Sequence, residues 1–220
     1  MPRILFEKKG NAVWISHLDL MRLFQRAFKR AGLPLTHTQG YNPRPSVSIA
    51  LPLSVGVESC CELLDFELDG DKVANRIVRG KLNDYLVSGI RVLKVYDNGQ
   101  KIKELALLDT IVTMEYDAGI PGEAISKLTD FFAQENILVE KKTKSNGIQE
   151  QNIKPMIKAL EIEQADENTI LLKARICCQN PTLNPMQLHS AVVRYLPELA
   201  PDFAKCARIE LYDNNGNTFR

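Results

Sequence analysis

Residues 16–45 read SHLDLMRLFQRAFKRAGLPLTHTQGYNPRP. The first half of this stretch has the pattern of an amphipathic helix. Leu20, Leu23, Phe24, Ala27, Phe28 and Ala31 recur at helical spacing, and Asp19, Arg22, Arg26, Lys29 and Arg30 fall on the opposite side. Ser16 is placed to cap the helix, with Asp19 three residues later as a short-armed variant of the capping box. Gly32 is expected just beyond the last turn, and Pro34 prevents continuation. A short extended piece, 35–38, then leads into a loop, Gly40-Tyr41-Asn42-Pro43-Arg44-Pro45, braced by two prolines.

Working outward, residues 4–8 are β-prone, and Gly10-Asn11 separates them from a second run, 12–15. That arrangement predicts a short hairpin or a kinked strand, with Trp14 packed in the sheet. Val47, Ile49 and Leu51 alternate with small residues as a strand does, and 52–59 is a turn-rich connector. Leu64, Phe66 and Leu68 alternate with Asp65, Glu67 and Asp69, predicting a strand with one wet face. Asp71 is expected to cap a second helix carrying Val73, Ile77, Val78, Leu82 and Tyr85, followed by a strand over 89–96. The polar, turn-prone run at 97–101 is the best boundary candidate.

Beyond it the order of elements repeats: a strand over 110–116, then a helix opened by Pro121 with Ile125, Leu128, Phe131 and Phe132 on one face. Residues 137–141 read as extended, and 141–150 as a polar hairpin-like excursion around Asn146-Gly147. Residues 153–162 fit neither helix nor strand cleanly, because Pro155 interrupts both. A strand over 170–178, a helix from Asn184-Pro185 with Leu188, Ala191, Val192 and Tyr195, and a last strand over 207–212 complete the chain. The expected class is α+β, with two ferredoxin-like (split βαβ) halves over 1–98 and 104–220. A single larger α+β domain is the alternative, since each half offers more extended pieces between its helices than the template's two.

Composition excludes several classes. With 220 residues, 45% hydrophobic and 25% charged, the chain has the make-up of a globular protein. It has no apolar run of membrane-spanning length. Its first residues lack the apolar core of a signal peptide, so a cytoplasmic location is the expectation. Cys60, Cys61, Cys177, Cys178 and Cys206 show no C-x-x-C or metal-ligand spacing and read as reduced core residues. No metal or cofactor is expected. The net charge of +1 hides an asymmetry: through Pro45, eight cations face two carboxylates, a local +6, leaving −5 for the remainder. A basic segment on a neutral protein points to a local anionic contact, or else to a solvated helix face.

Phosphate-loop, dinucleotide, zinc-hydrolase and serine-hydrolase motifs are all missing. What remains is the 16–45 stretch. Ser16, His17 and Asp19 open a helix whose free N–H groups suit an anion, with His17 the one candidate acid or base. Arg22, Arg26, Lys29 and Arg30 are spaced to track a phosphate backbone. Tyr41 is offered to stack, Asn42 to hydrogen-bond and Arg44 to pair with an anion. His37 lies near enough to join them, and Glu58 and Glu62 are acidic partners for the basic cluster. His189 reads as structural. Lys141, Lys142 and Lys144, continued by Lys154 and Lys158, form either a secondary anion surface or plain solvation.

Five motifs together resemble the bacterial radical-SAM-linked domain family of unknown function. They are F-x-K-x-G at 6–10, I-S-H-L-D-L-x-R at 15–22, A-G-L-P at 31–34, G-Y-N-P-R-P-S at 40–46 and P-L-x-x-G-x-E-S at 52–59. The resemblance implies a radical SAM protein as partner and an RNA or ribosomal context, without implying a reaction. It also implies that this chain, which lacks the enzyme's cysteine motif, is the standalone member. Two ferredoxin-like halves with a histidine near the first helix are similar, at the level of fold, to the CRISPR repeat-processing endoribonucleases. Three functions follow as expectations: an accessory module binding RNA or a ribonucleoprotein beside a radical SAM enzyme, a metal-independent RNA-processing or modifying enzyme using His17, or a module docking an acidic protein.

Overall fold

Antiparallel pairing builds the same four-strand pattern twice. The computed structural model describes residues 1–142 and 147–220, without the side chains of Lys141, Lys142 and Ile148. It divides into one unit of Met1–Glu104 with Phe219–Arg220, and a second of Leu105–Thr218.

The first unit runs β1 (Arg3–Lys8), α1 (His17–Arg30), β2 (Val47–Ala50), β3 (Glu58–Phe66), α2 (Asn75–Asn83) and β4 (Ile90–Tyr96). Its strands lie in the order β4-β1-β3-β2, each neighbouring pair antiparallel. That order is the split βαβ expected of a ferredoxin-like half. Register puts Ile4 opposite Leu64, and Leu64 opposite Ile49. All three join one buried cluster with Leu20, Phe24, Phe28, Val78 and Leu82 of the helices. Phe6 meets Phe24 edge-on at 4.8 Å, and Phe28 meets Phe66 at 5.1 Å. Burying each of these rings contributes about 1.5–3 kcal/mol, which holds α1 on the sheet and turns its cations outward.

The second unit runs β5 (Leu105–Glu115), α3 (Ala124–Ala133), β6 (Leu138–Lys142), β7 (Ile148–Asn152), β8 (Ile157–Gln164), β9 (Thr169–Cys177), α4 (Met186–Tyr195) and β10 (Phe203–Asp213). Its main strands are ordered β10-β5-β9-β8, again antiparallel, and among the described residues β6 pairs only with β7. The surplus extended pieces in the sequence are thus a two-stranded ribbon inserted after α3. Residues 153–162 resolve into a short 3-10 turn, Lys154–Met156, that holds Pro155, and then β8. The Asn146 turn and the position of Lys144 fall outside the described residues. No described helix is long and apolar enough to cross a membrane.

Four local expectations are corrected. Residues 12–15 are not a strand: Gly10–Trp14 is a 3-10 turn, and Trp14 is 70% exposed rather than packed in the sheet. Lys8 is the cause. It is 1% exposed, and its Nζ donates to the carbonyls of Val13 (3.1 Å) and Ile15 (2.9 Å), curling the chain over itself. Gly89 closes the same corner: a Cβ there would lie 2.3 Å from the Lys9 carbonyl oxygen, and its φ is +86°. The second helix starts at Asn75, with Ala74 and not Asp71 at its cap, because Lys72 and Asn75 are tied to Asp97. Ala124, not Pro121, opens α3; Pro121 instead accepts the Ala124 N–H in the preceding turn. Finally, β3 ends at Phe66, so the exposed Glu67 and Asp69 lie beyond it. Within the strand Cys61 through Leu64 are buried, and Asp65, the one alternating acid it contains, is half-buried and grips Arg3 through two hydrogen bonds.

Candidate nucleic-acid interface

The helix that carries the cations is fixed at both ends by local chemistry. Ser16 Oγ accepts the Asp19 N–H (3.2 Å) and donates to Asp19 Oδ2 (2.8 Å). Arg22 reaches back to Asp19 Oδ1 at 3.1 Å. The Ser16 hydrogen bond, then that of Arg22, holds the Asp19 carboxyl below the usual carboxylate range. At the other end Gly32, at φ +64°, donates to Lys29 O while Leu33 N donates to Phe28 O, the paired bonds of a Schellman stop.

That stop folds the chain back beside the helix. Leu33 and Leu35 are buried. The segment is pinned to the end of β3 by Asp69 N to Pro34 O (2.8 Å) and Thr36 N to Glu67 O (3.0 Å). Between helix and segment lies a cleft of about 530 Å³. Arg22, Gln25, Arg26 and Lys29 form its helical side; Leu33, Pro34 and Leu35 wall the other, with His37 and Pro45 at its mouth. A second cleft, of about 410 Å³, flanks the helix on its other side, between Asp19, Arg22, Arg26 and Arg30 and the pair Tyr85 and Val87. Arg30 lies over the Tyr85 ring at 5.1 Å. Arg22 and Arg26 therefore stand on a ridge that both clefts share.

The remaining candidates sit elsewhere. Residues 36–46 form an arm closed by Thr38 N to Arg44 O and Ser46 N to Thr36 O, both 2.8 Å, with His37 bridging Pro45. Arg44 N also donates to Thr38 Oγ1. This lifts Tyr41, Asn42 and Arg44 into solvent at the arm's tip, with Tyr41 fully exposed. Neither cleft is lined by Tyr41, Asn42, Arg44, Ser16 or His17. His17 is half-buried in the first turn. Glu58 accepts the Gly10 N–H, and Glu62, wholly buried, acts on Lys8; neither is among the residues lining the clefts. Burial lowers the Lys8 ammonium below its ordinary value, and Glu62 acts against that shift. Lys154 and Lys158 spend their ammonium groups on the carbonyls of Phe132 and Pro155. His189 is half-buried in α4, where burial lowers its pKa.

Gln25 and Tyr85 were not singled out by pattern. A helical projection carries the signal for Gln25, which falls at the edge of the cationic stripe beside Lys29 and is half-buried. Tyr85 reads as one more apolar position of α2 until that helix is seen to end at Asn83. Among the described residues no group of three His, Cys, Asp or Glu side chains is disposed to hold a metal, and all five cysteines are free thiols.

Three of the quoted motifs meet just ahead of α1. Lys8 holds Val13 and Ile15, Gly56 N donates to Val13 O, and Glu58 receives Gly10. A family model described as "Uncharacterized protein conserved in bacteria (DUF2344)" matches residues 2–185. The chain belongs to this DUF2344 family. No curated protein matches the DUF2344 chain by sequence. Among solved structures it is similar to a chain of a Cbf5-Nop10-Gar1 complex, with a TM-score of 0.52 and 9% identity. That match covers 96% of this chain and 48% of the other. It is also similar to a chain of the archaeal box H/ACA sRNP Nop10-Cbf5 complex, with a TM-score of 0.48, 10% identity, and 94% and 46% covered. The DUF2344 chain thus spans about half the length of these two solved chains, and at 9% identity the first match is a likeness of fold alone.

Proposed function

We propose that the chain is an accessory module that binds RNA or a ribonucleoprotein through the outer face of α1 and works beside a radical SAM enzyme. The observation that carries this reading is a set of uncompensated cations. Among the described residues, Arg26, Lys29, Arg30 and Arg44 make no ion pair, and Arg22 has only the exposed Asp19. Like charges one helical turn apart repel, so the arrangement is unfavourable until an anion meets it. Lys29 and Arg30 gain something from the helix C-terminus, but Arg22 and Arg26 lie too far from it. In this reading the four helical cations contact successive phosphates, Tyr41 stacks on a base from the arm's tip, and Asn42 and Arg44 add contacts there. Ser16, His17 and Asp19 bound the site at the helix opening.

The radical SAM enzyme enters through the motif resemblance, three of whose motifs build the junction that positions α1. Fluorescence anisotropy with a labelled single-stranded RNA tests the RNA reading. Retention should fall steeply with salt, and a protein that retains no RNA even at low salt would end it. Copurification with the enzyme after nuclease treatment tests for direct association, and loss of the enzyme on that treatment would mean RNA bridging alone.

A further inference from the structure

We propose that the cleft between α1 and the 33–37 segment receives one unpaired nucleobase, so that the module selects single-stranded over duplex RNA. This rests on reading α1 as the RNA-binding face, and it adds a site that this reading does not require. The cleft holds about 530 Å³, within the range of small-ligand sites. Its walls are Leu33, Pro34 and Leu35, flat or aliphatic groups suited to the face of a base, while Arg22, Arg26 and Lys29 stand where the flanking phosphates would lie. No carboxylate lines it.

Gln25 and His37 supply the polar readout. Among the described residues neither side chain makes a hydrogen bond, so a donor and an acceptor on Gln25 and the imidazole of His37 are available to the edge of a base. The wall opposite the helix is preformed, being tied to Phe28, Glu67 and Asp69 by main-chain bonds of 2.8–3.0 Å. The flanking 410 Å³ cleft is the poorer candidate. Asp19 there repels phosphate, and Arg30 already lies over one face of the Tyr85 ring. A base held in a duplex cannot leave its stack to enter either cleft without the cost of unpairing.

The test uses the full chain and a short single strand carrying 2-aminopurine, whose emission reports unstacking. Gln25→Trp fills the cleft from the helical wall of α1 without removing a cation. It should weaken single-strand binding roughly tenfold, as loss of one stacked base does, and abolish the emission change while the salt dependence stays as in the wild type. Gln25→Ala adds no bulk and guards against misfolding of the tryptophan variant; it should weaken binding roughly threefold. The wild type should hold a duplex of equal length at least tenfold more weakly than the strand. Unchanged affinity in both variants, or equal binding of duplex and strand, overturns the base site and leaves the RNA reading standing. If no strand is retained at all, free AMP and UMP decide the matter. Saturable NMR shifts at the Leu33 and Leu35 methyl groups would keep the nucleotide site and remove the RNA reading, and their absence would remove both.

Discussion

Replacing Arg26 with glutamine separates a binding surface from a solvated one, because the two readings demand opposite combinations of stability and affinity. Arg26 has three cationic neighbours within one helical turn: Arg22 at i−4, Lys29 at i+3 and Arg30 at i+4. Pairs of like charge at these spacings each destabilise a helix by roughly 0.2–0.5 kcal/mol, so their removal relieves about 0.6–1.5 kcal/mol at low salt. Asp19 attracts Arg26 weakly from two turns away, and the site is exposed. With screening, a gain of about 0.5–1 kcal/mol is left, or about 2 °C in the melting temperature of a chain this size.

Binding should move the other way. Each phosphate neutralised on a single strand contributes about −0.7 to the slope of log affinity against log salt, so four contacts give about −2.8 and three about −2.1. Between 50 and 200 mM salt the wild type should therefore lose about 50-fold in affinity and the variant only about 18-fold. Anisotropy titrations across that range, alongside thermal melts of the same preparations, read both quantities. A variant that is stabilised but keeps the wild-type slope would refute the reasoning, since Arg26 would then be solvated and meet no phosphate. A destabilised variant would refute the repulsion on which the functional reading depends.

Other sites make separate demands. Lys8→Met removes the donor to Val13 and Ile15 and strips Glu62 of its buried cation; urea denaturation should show a loss of about 3–5 kcal/mol, and an unchanged midpoint would mean the 3-10 turn stands without Lys8. Burial pushes the Asp109 carboxyl up, but hydrogen bonds from Arg175 and Tyr212 outweigh it and hold the group below its ordinary value. The unfolded chain therefore takes up this proton first as pH falls, and the stabilisation is complete above about pH 4 and drains away below it. Asp109→Asn should flatten that acid limb of the stability curve, and parallel limbs for variant and wild type would oppose the assignment. Trp14, the single tryptophan, should emit like indole in water and be quenched freely by acrylamide; a blue-shifted, protected emission would restore it to the sheet. Tyr41→Ala should leave stability within about 0.5 kcal/mol while costing RNA binding about 1–3 kcal/mol, and full affinity would remove Tyr41 from the site.

Helix α1 was legible residue by residue, because its cap, its apolar stripe and its glycine stop are local features that no tertiary contact contradicts. The doubled strand-helix order was legible for the same reason: alternation and helical period survive in any context. Residues 10–14 were not, because a β-prone run becomes a 3-10 turn when a lysine five residues away in the chain is buried and claims its carbonyls. Nor was the half-burial of Asp65, which looks like a solvent residue until Arg3 is placed opposite it. The candidate site divides along the same line. The cations of α1 could be listed from helical spacing, but the cleft beside them is made by the fold-back of 33–37, whose bonds to Glu67 and Asp69 span more than thirty positions. Sequence proximity grouped the 40–45 loop with the helix; the ladder at Thr38 and Arg44 instead carries its tip away into solvent.

The second unit supplies an internal control for reading charge as function. Its sheet also bears cations, and three of them are matched where they stand: Lys173 with Glu163, Lys205 with Glu115, and Arg175 with Asp109. Arg175 is also stacked 4.0 Å over Tyr212, whose hydroxyl donates to the same carboxylate. Each of these pairs satisfies its charge across neighbouring strands, so nothing in the arrangement calls for an external anion. The same chain thus matches these basic residues one to one in the second unit, whereas on the outer face of α1 a single exposed carboxylate, Asp19, stands against Arg22, Arg26, Lys29 and Arg30. A merely soluble surface would not require that difference, since mixed charge serves solvation as well and avoids the repulsion along the helix. The excess of cations over carboxylates on α1 is therefore the feature that the proposed RNA backbone would complete.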